Sequence, residues 1–404
     1  MAHPYPTPPT ITWLVEMTRR FPKKNPPKRG LGNQMQPVTL YAAEVSLYSG
    51  KARAYLRYKR IPFVEVLPSR QIMKNVLVPR TGVAMVPVVI TADDEAVGDT
   101  SAIIDFFEER TPARPVIPEG PVQRLVAHLI ELFADEWLLL PAMHYRWAYP
   151  RHHGWFILKE FGQLFAPDKP RWIQPLMGLP VFLYFGLGHG KVLGIDRRTR
   201  SAIEETYLSF LDAFNDHLAV HPYVLGAHPT LADFGLMAPL YAHLYRDPYS
   251  GRLMKKRAPR VADWVERMNT PDEQSFGPLV PNDGIPETLY PLLKHAFSEQ
   301  WPVIRDTWRA VSEPNAVRGD GRLPRFVGRH SFRVGDAQST RAIQSYTAWM
   351  SQRSLSAYQS LLGPDKQRAE ALLDAVGGQT LREPAPVSLF RQRGKVYRTP
   401  TAVP

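Results

Sequence analysis

Val38-Thr39-Leu40-Tyr41-Ala42-Ala43-Glu44-Val45-Ser46-Leu47-Tyr48-Ser49-Gly50-Lys51-Ala52-Arg53 decides the fold, because within sixteen residues it passes from a strand pattern to a helix pattern. Val38 to Ala42 is β-branched and aromatic, as a buried strand requires. From Ser49 to Arg60, Ala52, Tyr55 and Leu56 recur at three and four residues among Lys51, Arg53, Arg57 and Lys59, which is the pattern of a short amphipathic helix. Ile61-Pro62 ends it, and Phe63 to Leu67 reads as a second strand. Strand, helix and strand in that order predict a parallel pair joined by a right-handed crossover.

Working outward, residues 68–82 are poorly patterned, and Met85-Val86-Pro87-Val88-Val89-Ile90 is apolar enough for a buried strand. Proline supplies no ladder donor, so Pro87 belongs at the start or edge of that strand, with a cis peptide bond as the expectation. Thr91 to Ala96 is turn material before a short strand. Asp99 to about Arg110 reads as a helix with Ile103, Phe106 and Phe107 facing inward. The predicted order is βαβ, then ββα.

Four prolines between Pro112 and Pro121 mark a linker, and the pattern beyond it is helical. Leu125, Leu129, Leu132, Phe133, Trp137 and Leu140 keep the three-and-four rhythm, as do Tyr207, Leu211, Phe214 and Leu218. Tyr145 to Gly194 reads as an irregular, aromatic, glycine-containing insertion lining a cleft. Thr230-Leu231-Ala232-Asp233 pairs an N-cap hydroxyl with an acid three residues on, opening a helix apolar on nearly every side. From about Pro281 helical patches such as Ala342 to Leu361 alternate with loops. The expected division is a basic, proline-rich tail over 1–36, a βαβ-ββα domain over 37–113, a helical domain over 114–275 with an insertion at about 145–194, and a partly helical extension over 276–404.

Composition narrows the chemistry. The 404 residues include no cysteine, which excludes disulfides, cysteine-ligated metals and any protein thiolate. The formal charge is +12, and much of the excess sits near the ends, in Arg19, Arg20, Lys23, Lys24, Lys28 and Arg29 and again in Arg391, Arg393, Lys395 and Arg398. These read as solvated tails, so a nucleic-acid interface is not expected. The uncharged stretch Met177 to Gly188 is interrupted by Pro180 and is shorter than a membrane span, and the amino terminus lacks a secretory pattern; no membrane contact and a cytoplasmic location are the expectations.

Four motifs, taken together in order and spacing, resemble the glutathione transferases. They are the turn Ser46 to Arg53 after the first strand, the pair Val86-Pro87, the run Asp99-Thr100-Ser101-Ala102-Ile103, and Thr230 to Phe234 followed by Ala258-Pro259 and Trp264. The resemblance covers about Val38 to Met268. It implies an α+β protein with a thioredoxin-like amino-terminal domain and an all-α transferase domain, a homodimer in solution, and glutathione as co-substrate for attack on a hydrophobic electrophile. A transferase-fold binding or scaffold protein is the alternative. Leu47 departs from the proline usual at the family's serine turn.

On that resemblance Ser46 is the hydroxyl that would hold the glutathione thiolate, with Tyr48 and Tyr41 as rivals. Val86, fixed by Pro87, would offer its main-chain N–H and C=O to the cysteinyl part. Asp99 and Thr100 would meet the ammonium and carboxylate of the γ-glutamyl end, Asp99 or Thr100 also capping the helix. Lys74 or Arg80 is a candidate for the glycyl carboxylate. Tyr145, Trp147, Trp155, Phe156 and Tyr184 are candidate lining for the second substrate, and Asp233 reads as structural. His217 and His221 have the spacing of a metal pair, but no third ligand accompanies them and no metal is expected.

Overall fold

Strand β1 (Val38–Tyr41) runs parallel to β2 (Phe63–Val66) and antiparallel to β3 (Val88–Ile90), which pairs antiparallel with β4 (Ala96–Gly98), giving the sheet order β2-β1-β3-β4. Helix α1 (Leu47–Tyr58) crosses from β1 to β2, and α2 (Thr100–Arg110) follows β4, so the βαβ-ββα order read from the pattern is the order observed. Helix α1 starts at Leu47, two residues before the pattern placed it, because Ser46 has extended dihedrals and serves as its N-cap. The poorly patterned residues 70–81 form helical turns. This computed structural model describes residues 36–271 and 276–399, so Arg19 to Arg29 of the expected basic tail lie outside the described residues.

The helical domain follows with α3 (Pro121–Glu136), α4 (Leu139–Ala148), α5 (Pro150–Phe165), α6 (Gln174–Tyr184), α7 (Arg200–Val220), α8 (Leu231–Pro239), α9 (Pro248–Arg257) and α10 (Pro259–Asn269). All nine residues of α8 are buried, as its apolar circumference predicted. Asp233 is structural: its carboxylate accepts from the Thr230 N–H (2.9 Å), the Val224 N–H (3.0 Å) and the Trp264 indole (3.3 Å). Phe234 packs edge-on to Tyr55 with ring centres 5.6 Å apart, joining α8 to α1 and hence the helical domain to the sheet.

The stretch expected to be irregular, 145–194, is instead largely helical. Pro150 and Pro175 occupy first-turn positions, where the missing N–H is no loss. Two of its glycines mark helix contact rather than loops: a Cβ on Gly162 would sit 1.9 Å from the Gln174 carbonyl oxygen, and one on Gly178 would sit 2.5 Å from that of Leu158. Helices α5 and α6 therefore approach backbone to backbone.

Residues beyond Pro281 join the same compact unit as the rest of the chain from Gln36. Helix α11 (Trp301–Ser312) leads to a hairpin of β5 (Phe326–Val334) and β6 (Ala337–Gln344), then α12 (Ser345–Gln359), α13 (Gly363–Val376) and a second hairpin of β7 (Leu389–Gln392) and β8 (Lys395–Arg398). The basic residues Arg391 to Arg398 thus belong to a paired hairpin and not to a solvated tail. Gln352 on α12 anchors it, its side-chain amide donating to the Leu389 carbonyl and accepting from the Leu389 N–H, both at 2.9 Å.

His217 on α7 is fully buried. The Tyr223 carbonyl can only accept, so Nε2 donates to it (3.2 Å), and Nδ1 accepts from the Thr288 hydroxyl (2.8 Å). Among the described residues no group of three or more His, Asp or Glu is placed to hold a metal. Burial lowers the His217 pKa to about 4. The unfolded chain, with an ordinary value of about 6.5, binds the proton first, so this stability term is complete above pH ~6.5 and is lost as pH falls toward 4. Urea denaturation at pH 7 and pH 4.5 is expected to show a drop about 2–3 kcal/mol smaller in His217→Gln than in the wild type; equal drops would remove His217 as the cause.

Candidate glutathione site at one end of the sheet

The register sets the site. Tyr41, the last residue of β1, pairs with Val88, the first of β3, and Val88 pairs with Gly98, the last of β4. Residues 42–46, the Val86-Pro87 bond and Asp99 therefore all leave the sheet at one end. The Val86-Pro87 peptide is cis. Neither the N–H nor the C=O of Val86 has a hydrogen-bond partner among the described residues.

Ser46 is half-buried at the amino terminus of α1, and its hydroxyl makes no hydrogen bond among the described residues. Its loop is fixed on both sides. The Ala43 N–H donates to the Ser49 hydroxyl oxygen (3.2 Å), and the Arg146 guanidinium donates to the Val45 carbonyl (2.6 Å). The Tyr48 hydroxyl donates to the Asp135 carbonyl at 2.9 Å. Burial, then the nearby carboxylates of Glu136, Asp135 and Asp99, push its pKa well above the usual phenol value, so Tyr48 keeps its proton and directs it at α3. Tyr41 is buried in a small cluster with Leu77 and Val88.

Asp99 caps α2 with φ +89°, its Oδ1 accepting from the Ser101 N–H (3.0 Å) and the Ala102 N–H (3.4 Å). Its Oδ2 accepts from the Tyr346 hydroxyl (2.7 Å) and lies 3.1 Å from Arg391 Nη1, leaving the side chain 10% exposed. Both partners come from the carboxyl-terminal region, Tyr346 from α12 and Arg391 from β7. The Thr100 hydroxyl, beside it, makes no hydrogen bond among the described residues. Arg353 of α12 further ties this region to α2 through a two-pronged pair with Asp105 at 2.5 and 2.9 Å.

Sequence reasoning missed Tyr346 and Arg391, which no local pattern connects to Asp99. It also missed a buried ionic group beneath the site. Lys51 on α1 is fully buried and reaches Glu131 (2.9 Å) and Asp135 (2.6 Å) on α3, and the Ser101 hydroxyl donates to the same Glu131 oxygen (2.7 Å). A signal was present: Glu131 and Asp135 lie four residues apart among the apolar residues that bury α3.

Arg80 is paired with Asp94 at 2.8 Å, and Lys74 is exposed. The residues expected to line a second-substrate pocket do not converge. Tyr145 is core, with its ring 5.2 Å from that of Tyr207, and Trp147 packs on Phe182, also at 5.2 Å. Phe156 lies under Arg246, while Trp155 and Tyr184 are exposed. Two shallow depressions, one including Asp196 and Thr340 and the other Arg57 and Asn269, are lined by none of the site residues.

Two family models match the chain in the order the fold requires, the glutathione S-transferase amino-terminal domain over residues 40–115 and the glutathione S-transferase carboxyl-terminal domain over residues 197–267. The chain belongs to the glutathione transferase superfamily. Similar solved structures include a glutathione S-transferase from Methylobacterium radiotolerans in complex with glutathione sulfonate, at 17% identity over 61% of this chain and 99% of that one, with a TM-score of 0.37. A beta-etherase from Sphingobium sp. strain SYK-6 matches at 18% identity over 58% and 95%, with a TM-score of 0.42. No curated protein matches the chain. The two transferase models leave residues 116–196, with the α5–α6 hairpin, and everything after 267 unmatched; Tyr346 and Arg391 lie in the latter stretch.

Proposed function

We propose that this chain binds glutathione at the end of the four-stranded sheet and uses the Ser46 hydroxyl to hold its thiolate for attack on a hydrophobic electrophile. The observation that carries this reading is the set of polar groups there that have no hydrogen-bond partner among the described residues: the Ser46 hydroxyl, the Val86 N–H and C=O, and the Thr100 hydroxyl. Val86 would pair with the cysteinyl amide of glutathione and Thr100 with its γ-glutamyl carboxylate. A thiol with a pKa near ~8.5 is only slightly ionised at neutral pH. A hydrogen bond to the charged sulfur contributes roughly 1.5–3 kcal/mol and a helix amino terminus about 0.3–1 kcal/mol, together roughly one to three pKa units. The sulfur–carbon bond would form as the leaving group departs with its electron pair, the thiol proton having passed to solvent.

One observation favours a second reading, a transferase-fold binding or scaffold protein. Asp99, the natural partner for the γ-glutamyl ammonium, is already paired with Tyr346 and Arg391. The test is retention on immobilised glutathione combined with an ultraviolet thiolate difference spectrum, for the wild type, Ser46→Ala and Tyr346→Phe/Arg391→Ala. The expected result is that wild type and Ser46→Ala both bind, with the bound thiol's pKa raised by about 1–2 units in Ser46→Ala. Binding by the Tyr346→Phe/Arg391→Ala variant alone would show that the chain's own carboxyl-terminal region closes the site. No retention of any of the three at millimolar glutathione would leave the scaffold reading.

A further inference from the structure

Helix α6 buries Pro175 and Gly178 against α5 and turns its other side outward, where Leu176, Met177, Leu179 and Leu183 are all exposed, Leu176 to 66%. No charged residue occurs from Gln174 to Gly190. Trp172, in the turn between the two helices, is 75% exposed, and Trp155 on α5 is also exposed. Scattered apolar residues on a surface need no explanation, but a contiguous apolar helix face with adjacent exposed indoles does.

Both ends of this face are basic. Lys169 and Arg171 precede α6, and Lys191 and Arg197 follow the helical turns after it; all four are exposed and none makes an ion pair among the described residues. Over residues 150–200 there are eight Lys and Arg against three Asp and Glu. Two of those three acids are engaged, Glu160 with Arg246 at 3.0 Å and Asp196 with the Ser339 hydroxyl at 2.6 Å.

We infer that the outer face of α6 is a docking surface for an anionic lipid bilayer, on which it lies flat with its apolar residues at the acyl boundary. Helix α6 rises only roughly 16 Å over its eleven residues, about half a hydrocarbon core, and no helix among the described residues is long and apolar enough to cross a membrane. It therefore rests in the interface. Charge complementarity decides the occupant: a second copy of this chain would bring the same basic rim and the same positive excess, whereas anionic headgroups neutralise it. Exposed tryptophans suit the headgroup level, where one edge of the ring is apolar and the other wet. This surface departs from the expectation of no membrane contact, which rested on the lack of a spanning segment and on reading the basic ends as solvated tails.

The test uses the full chain in sedimentation with vesicles of phosphatidylcholine, with and without phosphatidylglycerol. Binding is expected to be at least about tenfold tighter on the anionic vesicles and to weaken with added salt. Leu176→Asp/Leu183→Asp, at two exposed positions, is expected to weaken it at least about tenfold with an unchanged circular dichroism spectrum. Lys169→Glu/Arg171→Glu is expected to weaken it on anionic vesicles alone. Failure of the wild type to bind, or binding that survives Leu176→Asp/Leu183→Asp unchanged, overturns the inference. Self-association abolished by Leu176→Asp/Leu183→Asp, with no vesicle binding, would assign the face to a second copy and overturn it equally.

Discussion

Arg146→Met is expected to lower the unfolding free energy by about 3–5 kcal/mol, read as a shift in the urea midpoint at constant slope. The Arg146 side chain is nearly inaccessible to solvent, and four of its five guanidinium N–H groups donate hydrogen bonds. Nε and Nη2 donate to the two carboxylate oxygens of Asp247, each at 2.7 Å, while Nη1 donates to the Val45 carbonyl at 2.6 Å and Nη2 to the Ala242 carbonyl at 2.8 Å. Asp247 is fully buried. Methionine preserves much of the side-chain volume, so the loss is electrostatic: a buried carboxylate without its counter-charge and two carbonyls without donors. Arg146→Met/Asp247→Asn should recover part of the loss, because it removes the orphaned charge. A midpoint change corresponding to less than about 1 kcal/mol would mean that water replaces the guanidinium without penalty. The same substitution releases Val45, next to Ser46, so a correctly folded Arg146→Met protein would also hold the proposed thiolate partner less firmly.

The sheet was legible because its pattern is local. Val38 to Ala42, Met85 to Ile90 and the helix after Asp99 each announce themselves within a few residues, and Pro87 could stand only where a ladder donor was dispensable. Three of the four transferase motifs sit where the chain leaves one end of that sheet, and the fourth opens the buried helix α8; each is local, which is why they could be found in order. The insertion was misread for a physical reason: Gly162 and Gly178 have the composition of a loop but serve as the contact between two helices. The Arg391 to Arg398 stretch was misread because charge and proline content describe a tail only when nothing pairs with its backbone, whereas β7 and β8 pair with each other and Gln352 holds the first residue of β7, Leu389. The pairing of Tyr346 with Asp99 spans 247 positions. No periodicity or spacing in one sequence can encode such a contact, and it bears directly on whether the proposed γ-glutamyl position is open.

Lys51→Met tests the buried ionic group on which the site end of α1 rests, and it is expected to cost about 3–5 kcal/mol at pH 8 and distinctly less at pH 5.5. Burial works against the charged forms of all three partners. Lys51 nonetheless stays protonated because Asp135 and Glu131 lie against it. Burial pushes Asp135 upward, whereas Lys51 and then Arg353 hold Glu131 well below the usual carboxylate range. Once the ammonium is gone, Glu131 keeps the Ser101 hydroxyl and Arg353, 3.6 Å away, but Asp135 loses the one partner its carboxylate has among the described residues. Its pKa, already raised by burial to about 7 in the wild type against about 3.9 in the unfolded chain, then rises further. Both proteins lose stability as pH climbs toward 7, because the native chain holds the proton that the unfolded chain has released, but the variant goes on losing it above pH 7, where the wild-type carboxylate is ionised against Lys51. The difference between variant and wild type should therefore grow from pH 5.5 to pH 8, and Lys51→Met/Asp135→Asn should abolish most of that growth. A loss independent of pH would assign the effect to packing around α1 and α3 and not to an unpaired carboxylate. Because the Asp135 carbonyl also accepts the Tyr48 hydroxyl, a shifted Asp135 would loosen the first turn of α1, and thiolate stabilisation at Ser46 should weaken together with stability.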